Sequence, residues 1–367
     1  MATMNQYFPQ SIPHPCEILV EKLQEIGMGP KEFAVRTGKP EKTITAVLKG
    51  DSAITPEMAI LFENVLMIPA RFWLENQRDY DEYIARTRRV TAIEEALEWA
   101  KNFPYVQMAK YGWLASTRKA EEKVVELFHF FGLSSKSAWE NYYLGQKLKL
   151  SFRISLKHTS EPYAVSAWLR QGDIIASKLP AGGFDEKKFM TNLRLIKTLM
   201  AEQPPDFFPK LQTLCAEAGV KVVYTPCLPK APISGSSRWL NDTPLIQLSA
   251  RYGQNDRFWF TFFHEAGHIL LHGKKYISLE NIDFTEVEAD KEKEADGFSE
   301  SWTFSLQQEK EVLAAIPMTV ENIIAFAKKF NTHPAMIIGR FQHKKLLPYN
   351  MGREFIVPVN FSNEECE

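Results

Sequence analysis

The sequence predicts a mainly α-helical protein with a small β-sheet, and three observations support this fold class. Residues 16–86 alternate short segments of helical apolar spacing with Gly and Pro stops, which is the pattern of a bundle of short helices. Residues 91–203 continue with mostly helical spacing and many aromatic side chains, which we interpret as core packing. Strand-like runs lie between residues 220 and 249, ahead of a strongly apolar helix. The C-terminal part is therefore predicted to be an α+β domain.

Five helices are predicted in the N-terminal part from their apolar spacing and end signals. Gly and Pro turns separate the first three, and Gly50 caps the end of the third. Thr55 and Pro56 open the fourth, because Thr can cap a helix and Pro loses no hydrogen bond in the first turn. The predicted helices cover residues 16–26, 31–37, 41–49, 56 onward, and about 70 toward 86.

The Gln203-Pro204-Pro205 segment predicts a domain boundary, since neighbouring prolines interrupt helices. The chain is then predicted to contain an N-terminal five-helix domain, a helical connector and a C-terminal domain. The predicted domains cover residues 1–90, 91–203 and 204–367.

The C-terminal domain carries the predicted strands. Asn241 and Asp242 predict a hairpin turn between two of them. The predicted elements are a helix near 208–218, strands at 220–225, 233–240 and 245–249, the apolar helix, and helices at 319–330 and 334–346.

The composition is that of an ordinary globular protein. Of 367 residues, 24% are charged and 45% hydrophobic, with a formal net charge of −1. These values exclude a disordered, collagen-like or disulfide-stapled chain. The near-zero charge argues against a uniformly basic nucleic-acid coat but leaves room for a small DNA-binding module, because the relevant field is local.

The cysteines and apolar segments predict a cytoplasmic protein with no membrane contact. The four cysteines form no CxxC pair, which argues against a disulfide framework and a zinc–thiolate site. The first fifteen residues contain three prolines and lack the apolar core of a signal peptide. The most apolar stretch, residues 258–273, includes Glu265 and is too short to span a bilayer.

The sequence His264-Glu265-Ala266-Gly267-His268 is an HExxH motif inside the apolar helix. Residues four apart share a helix face, so His264 and His268 can offer two imidazole nitrogens to one metal ion. Glu265 can act as a general base toward a water that the metal activates. Zn²⁺ is the natural metal for two imidazoles and a carboxylate with one open position. The alternative is a pair of hydrogen-bonded core histidines.

A third metal ligand is sought in the acidic segment 286–300, most of which we interpret as a solvated helix face. Its central pattern resembles an element of HExxH metallopeptidases in which a Glu binds zinc and an Asp one turn later accepts a hydrogen bond from a ligating His. The resemblance implies Glu292 as the ligand and Asp296 as the acceptor. Glu294 stays open as the alternative ligand. Glu292 is preferred, because it and Asp296 are four residues apart and share a face.

His272 is a further candidate because it follows His268 by four residues. It has drifted round the helix relative to His264, and Gly273 ends the helix there. We interpret His272 as a C-terminal cation partner or a polar rim residue, not a third imidazole ligand.

Residues 257–273, 292–298 and 330–349 together resemble the ImmA/IrrE family of metallopeptidases. The resemblance covers residues 205–349 and includes the lead into HExxH, the glutamate helix and the C-terminal helices. Members cleave protein substrates, often transcriptional repressors, in response to stress. The resemblance therefore implies a zincin-like metallopeptidase domain.

Residues 14–80 resemble HigA-type antitoxins, which are XRE-like helix-turn-helix (HTH) proteins also called plasmid maintenance antidote proteins. The matching segments include residues 14–19, 41–45, 54–56 and 68–74. In such proteins the third helix enters the major groove of DNA, and the fourth and fifth helices help build a dimer. The resemblance implies operator DNA as a partner and a homodimer.

The residues around the second and third helices agree with a DNA-binding role. Five basic and two acidic side chains lie between residues 31 and 50. Basic and hydroxyl side chains of this kind suit phosphate and base-edge contacts. An HTH-shaped bundle used only for protein contacts is the alternative. The predicted DNA-binding residues are Lys31, Lys39, Lys42, Thr43, Thr45 and Lys49.

These features together predict a DNA-binding regulator and antitoxin of a toxin-antitoxin type operon. Its C-terminal domain is predicted to be a zinc-dependent endopeptidase that cleaves a regulatory partner, such as a cognate toxin or a repressor protein. One alternative is a non-catalytic repressor and toxin-neutralising protein whose metal site is structural or inactive. Another is an enzyme whose HTH domain only docks the substrate.

Overall fold

The structure is a computed structural model that describes residues 11–145, 161–229, 231, 233–249, 251, 253–275, 286–315, 318–359 and 361. Residues 1–10, most of the segment whose composition argues against a signal peptide, lie outside these ranges. Residues 146–160 of the predicted connector do so too.

Contacts divide the chain into two compact units, Met1–Glu95 and Ala96–Glu367. Hydrophobic core clusters lie within each unit. The helices between residues 96 and 203 belong to the second unit, so their status as a separate connector domain stays a prediction.

The helices of the first unit occur where they are predicted, except that the fifth continues to Glu95, beyond the predicted region near 86. The Thr55 hydroxyl caps α4 by accepting a hydrogen bond from the Met58 N–H at 3.3 Å. Side chains such as Phe33, Phe62 and Trp73 are fully buried between the helices. Among residues 11–95 the helices are α1 (Pro15–Glu25), α2 (Pro30–Thr37), α3 (Glu41–Leu48), α4 (Pro56–Leu66) and α5 (Ala70–Glu95).

The second unit begins with helices that carry many of the aromatic side chains. Trp139 and Tyr163 stack with 4.9 Å between ring centroids, and Trp99 and Phe103 pack edge to face. These contacts confirm the interpretation of the aromatic residues as core packing. The helices are α6 (Leu97–Ala100), α7 (Tyr105–Lys110), α8 (Ala120–Phe131), α9 (Lys136–Trp139), α10 (Pro162–Lys178), α11 (Glu186–Glu202) and α12 (Phe207–Ala216).

A small sheet follows, and its described strands are β1 (Lys221–Tyr224), β2 (Gly235–Leu240) and β3 (Thr243–Leu248). The order is β1-β3-β2, with β1 parallel and β2 antiparallel to β3. The predicted hairpin turn is confirmed, because Asn241 adopts a left-handed conformation with φ 57° between β2 and β3. In this order, β2 is an edge strand of the described sheet.

A buried polar cluster joins the sheet to α10. The Arg238 guanidinium, 1% exposed, donates to Asp173 Oδ1 at 2.7 Å and to Gln247 Oε1 at 2.7 Å. Gln247 in turn donates to the Trp168 carbonyl oxygen at 2.7 Å. Because a buried charge needs a partner, this cluster fixes β2 and β3 against α10.

The remaining helices share a hydrophobic core with the apolar helix of the motif, and α14 and α17 pack directly against it. That helix ends at Gly273, which adopts φ 62° as its C-cap. Phe298 packs against Gly267, where an added Cβ would lie 3.1 Å from the ring. No helix of the described ranges is long and apolar enough to cross a membrane. The bounds are α13 (Asn255–His272), α14 (Glu286–Thr303), α15 (Leu306–Ala314), α16 (Val320–Phe330) and α17 (Pro334–His343).

Candidate metal centre

The motif lies on the buried length of α13. His264 is 3% exposed, Glu265 0% and His268 2%, among apolar neighbours such as Phe262 and Phe263. The helix forms through this segment because its apolar residues surround the polar ones and pack on every side. Burying three polar side chains is costly unless each has a compensating partner. The location therefore points to partners on a neighbouring helix.

Those partners come from α14. Glu292 Oε2 lies 3.1 Å from His264 Nε2, and Glu292 Oε1 lies 3.3 Å from His268 Nε2. The two Nε2 atoms are 2.9 Å apart. One ligand atom from each of His264, His268 and Glu292 lies within 4.8 Å of the others. The structure thus brings together the three residues predicted as metal ligands.

Asp296 approaches the other nitrogen of the first histidine. Its Oδ1 lies 2.9 Å from His264 Nδ1. A carboxylate at this position accepts a hydrogen bond from Nδ1–H, which leaves the Nε2 lone pair directed at the cluster. This is the geometry that the resemblance to glutamate-ligand metallopeptidases implies for Asp296.

The pKa values of the clustered residues reflect both burial and the nearby carboxylates. Burial alone would lower the pKa of His264, but the hydrogen bonds with Asp296 and Glu292 and the nearby carboxylate charges raise it to about 10. Burial would raise the pKa of Glu292, but the two histidines hold it well below its usual range. For His268, burial dominates and lowers the pKa.

The donor set fits a divalent cation. Imidazole nitrogen lone pairs and a carboxylate oxygen repel one another at about 3 Å unless a proton or a metal ion lies between them. The field that favours a proton on His264 also favours such an ion. Two imidazoles and one carboxylate form a donor set typical of catalytic zinc sites.

Glu265 lies beside this cluster under strand β2. An added Cβ at Gly235 would lie 2.8 Å from Glu265 Oε1 and 2.5 Å from Thr261 Cγ2. Only glycine lets the strand approach the carboxylate this closely. Sequence reasoning missed Gly235, because nothing in the local pattern links the strand to the helix.

The remaining acidic candidate, Glu294, lies elsewhere. Its Oε2 is 2.9 Å from His272 Nε2, and its side chain is 64% exposed. His272 is 4% exposed at its side chain and also contacts His268, with 2.9 Å between the Nδ1 atoms. His272 is a half-buried residue in the last turn of α13 that lies between His268 and the exposed Glu294. The interpretation of His272 as a C-terminal cation partner or a polar rim residue stays a prediction.

The predicted DNA-binding residues lie on the outside of α2, α3 and the turns beside them. Lys39 Nζ forms an ion pair with Glu57 Oε1 of α4 at 2.6 Å, which the sequence did not predict. A contact with DNA would have to compete with this pair. Exposed side chains are those of Lys31, Lys42 and Lys49, whereas Lys39, Thr43 and Thr45 are half-buried.

Matches to known proteins fall in two parts of the chain. Residues 215–337 match the family model Peptidase_M78, described as the IrrE N-terminal-like domain. At the N-terminal part, 65 residues are 35% identical to the uncharacterized HTH-type transcriptional regulator YddM of Escherichia coli strain K12. That match spans 18% of this chain and 69% of the relative.

Solved structures of similar proteins include two antitoxins. An addiction module antidote protein of the HigA family from Coxiella burnetii is 31% identical, with 23% of this chain and 91% of that chain covered and a TM-score of 0.22. The Pseudomonas aeruginosa antitoxin HigA, solved with the higBA promoter, is 27% identical, with coverages of 23% and 94% and a TM-score of 0.22.

The match to an HTH-type regulator and the match to a peptidase family model define a DNA-binding regulator joined to a metallopeptidase-type domain. The chain belongs to the HTH-type transcriptional regulators through its N-terminal part and carries a Peptidase_M78 domain in its C-terminal part.

Proposed function

We propose that the protein regulates a toxin-antitoxin type operon by binding operator DNA, and that its C-terminal unit is a zinc-dependent endopeptidase acting on a regulatory protein partner. One observation carries the peptidase proposal. The convergence of His264, His268 and Glu292, with Glu265 adjacent in sequence, supplies both a metal-binding donor set and a general base. The match to a peptidase family agrees with it.

His264, His268 and Glu292 would hold the zinc ion, and Asp296 would fix the tautomer of His264. When bound, zinc supplies a Lewis acid that polarises a peptide carbonyl and makes a water more acidic. Glu265 removes the proton from the attacking water and delivers it to the leaving amine. The apolar walls of α13 around these residues exclude bulk water and strengthen the electrostatic interactions.

The DNA-binding proposal rests on the N-terminal unit. Its relationship to an HTH-type regulator and the exposed Lys42 and Lys49 support binding of operator DNA through α3. A homodimer follows from the predicted operator binding, because two-fold symmetric proteins match paired half-sites. Such a protein works in the compartment that holds the DNA, so the proposal includes a cytoplasmic location.

A second candidate function is a non-catalytic repressor that neutralises a toxin. The complete burial of Glu265 favours it, because a general base must reach its water and substrate. In that case the metal would hold α13 and α14 together. The two candidates differ in whether any peptide bond is broken.

The deciding experiment incubates the zinc-loaded full-length chain with the protein encoded beside it in its operon. Wild type and Glu265→Gln are compared by intact mass of the partner over time. The peptidase proposal predicts defined fragments with wild type and at least about a hundredfold slower cleavage with Glu265→Gln, the usual contribution of a general base. Absence of cleavage, or equal cleavage by both, would reject the peptidase role.

A further inference from the structure

A chain of three polar side chains connects the second histidine of the motif to the surface of α14. His268 Nδ1 lies 2.9 Å from His272 Nδ1, and His272 Nε2 lies 2.9 Å from Glu294 Oε2. The exposed fraction is 4% for the His272 side chain and 64% for that of Glu294. The contacts therefore run from a buried imidazole, through a second imidazole, to a carboxylate in water.

Helix geometry explains why His272 can contact His268 without becoming a metal ligand. Each four-residue step turns a side chain by about 40° around the helix axis, so His272 points about 80° away from His264. His272 is thus beside His268 but turned away from the point where the Nε2 atoms of His264 and His268 meet. Its Nδ1 faces the nitrogen of His268 that the cluster does not use.

The contacts assign the protons when His268 is a ligand. A neutral imidazole that offers the Nε2 lone pair carries its proton on Nδ1. His272 Nδ1 then accepts that hydrogen bond, and the proton of His272 lies on Nε2, where it donates to Glu294. With this assignment, the imidazole N–H groups of His268 and His272 each have an acceptor, and no two donors face each other.

We propose that His272 and Glu294 are positioning residues that hold His268 in the tautomer and orientation required for metal binding. This inference rests on the proposed function, because it takes His268 Nε2 as a ligand. Two carboxylates of α14 then orient the two histidines: Asp296 acts directly on His264, and Glu294 acts on His268 through His272. Glu292 and Glu294 thereby have different roles, one as ligand and one as the end of a hydrogen-bonded chain.

The first test measures zinc affinity of the full-length protein by competition with a chromophoric chelator. His272→Phe removes the acceptor, whereas His272→Asn keeps an oxygen acceptor near the position of Nδ1. We expect zinc binding to weaken about 10–100-fold in His272→Phe, the usual effect of removing a group that orients a ligand, and His272→Asn to recover most of the loss. His343→Phe, an exposed histidine at the end of α17, is the matched control with wild-type affinity.

The second test reads the protons directly and needs no variant. Two-bond ¹H–¹⁵N spectra of the zinc-loaded wild type should show His268 protonated on Nδ1 and His272 protonated on Nε2 alone. A proton on His272 Nδ1 would overturn the proposal, because that nitrogen could no longer accept from His268. This readout separates an orienting role from general support of the fold.

The outcomes distinguish this inference from the function on which it rests. Wild-type protein that binds zinc, together with unchanged affinity in His272→Phe, would overturn the positioning role alone. Equal weakening in His272→Phe and His272→Asn would also overturn it, since the acceptor would not be the cause. Wild-type protein that binds no zinc would overturn the proposed function and this inference together.

Discussion

The α3 surface of the first unit and the α13–α14 cluster of the second carry polar side chains in opposite environments. Lys42 and Lys49 are exposed, whereas His264 and Glu265 are buried among apolar side chains. Exposed charged side chains stay hydrated, so they add little unfavourable free energy and can occur without a ligand. Buried polar groups destabilise the fold unless hydrogen-bond partners or ions compensate them. A buried cluster therefore constrains its own chemistry, whereas the exposed surface needs a bound partner to define its function.

Among variants that keep all three predicted ligands, the largest expected effect comes from Asp296, the carboxylate that contacts His264 directly. Asp296→Ala removes the acceptor of His264 Nδ1 and should weaken zinc binding about 10–100-fold. The chelator competition described for His272 measures it. Asp290→Ala on the same helix is the control, because Asp290 is exposed and pairs with the equally exposed Lys293 at 3.4 Å. Equal affinities would show that Asp296 does not orient the ligand.

The next largest effect is expected from a variant that tests how closely β2 packs against Glu265. Gly235→Ala places a methyl group against Thr261 and Glu265, and we expect a loss of about 1–3 kcal/mol in the free energy of unfolding. Urea denaturation of the zinc-loaded protein measures it. Gly297→Ala on α14, where an added Cβ meets nothing within 4 Å, should instead leave stability unchanged or raise it. A stable Gly235→Ala variant would mean that the strand can shift away from Glu265.

A substitution on the exposed α3 surface should change the affinity for DNA and leave the free energy of unfolding almost unchanged. Lys42→Ala should weaken binding to the upstream DNA of its own operon and reduce the slope of affinity against salt by about one unit. Stability should change by less than about 0.5 kcal/mol, because the side chain is exposed. Gel shifts at several salt concentrations measure the slope. No DNA binding by the wild type at low salt would contradict the repressor role.

The smallest effect concerns Asp256 at the start of α13. Burial raises the pKa of its carboxyl group, so the charged form is disfavoured in the folded state. Its contribution to stability is therefore lost as the pH rises from the unfolded-state pKa of about 3.9 through the raised folded-state pKa. Asp256→Asn should be more stable than wild type at pH 8, by less than about 1 kcal/mol, and the difference should shrink toward acid pH. A pH-independent difference in urea midpoints would contradict this.

Much of the fold could be predicted because local signals coincide with element ends. Thr55 and Pro56 mark the start of α4, and Asn241 adopts the left-handed conformation that the hairpin turn requires. The length of α5 could not be predicted in the same way. This helix continues to Glu95 beyond the predicted region near 86, and exposed ion pairs such as Arg86 with Glu82 lie along it.

The candidate site also contains both residues that a local sequence pattern identifies and contacts that no local pattern predicts. His264 and His268 are recognisable because four-residue spacing places them on one face. Glu292 is implied by the resemblance to HExxH metallopeptidases, and its spacing to Asp296 only favours it over Glu294. The close approach of Gly235 to Glu265 and the ion pair of Lys39 with Glu57 join elements far apart in sequence. Such contacts depend on tertiary packing, which a pattern within one segment does not encode.

The most direct test of the central claim is metal analysis of the purified full-length chain, wild type against His264→Ala. Elemental analysis after gel filtration should find about one zinc ion per chain in the wild type, and the ion should be lost in His264→Ala, because two imidazoles and a carboxylate form the site. A well-folded wild-type protein that takes up no metal when zinc is supplied would contradict the claim that this buried cluster is a metallopeptidase centre.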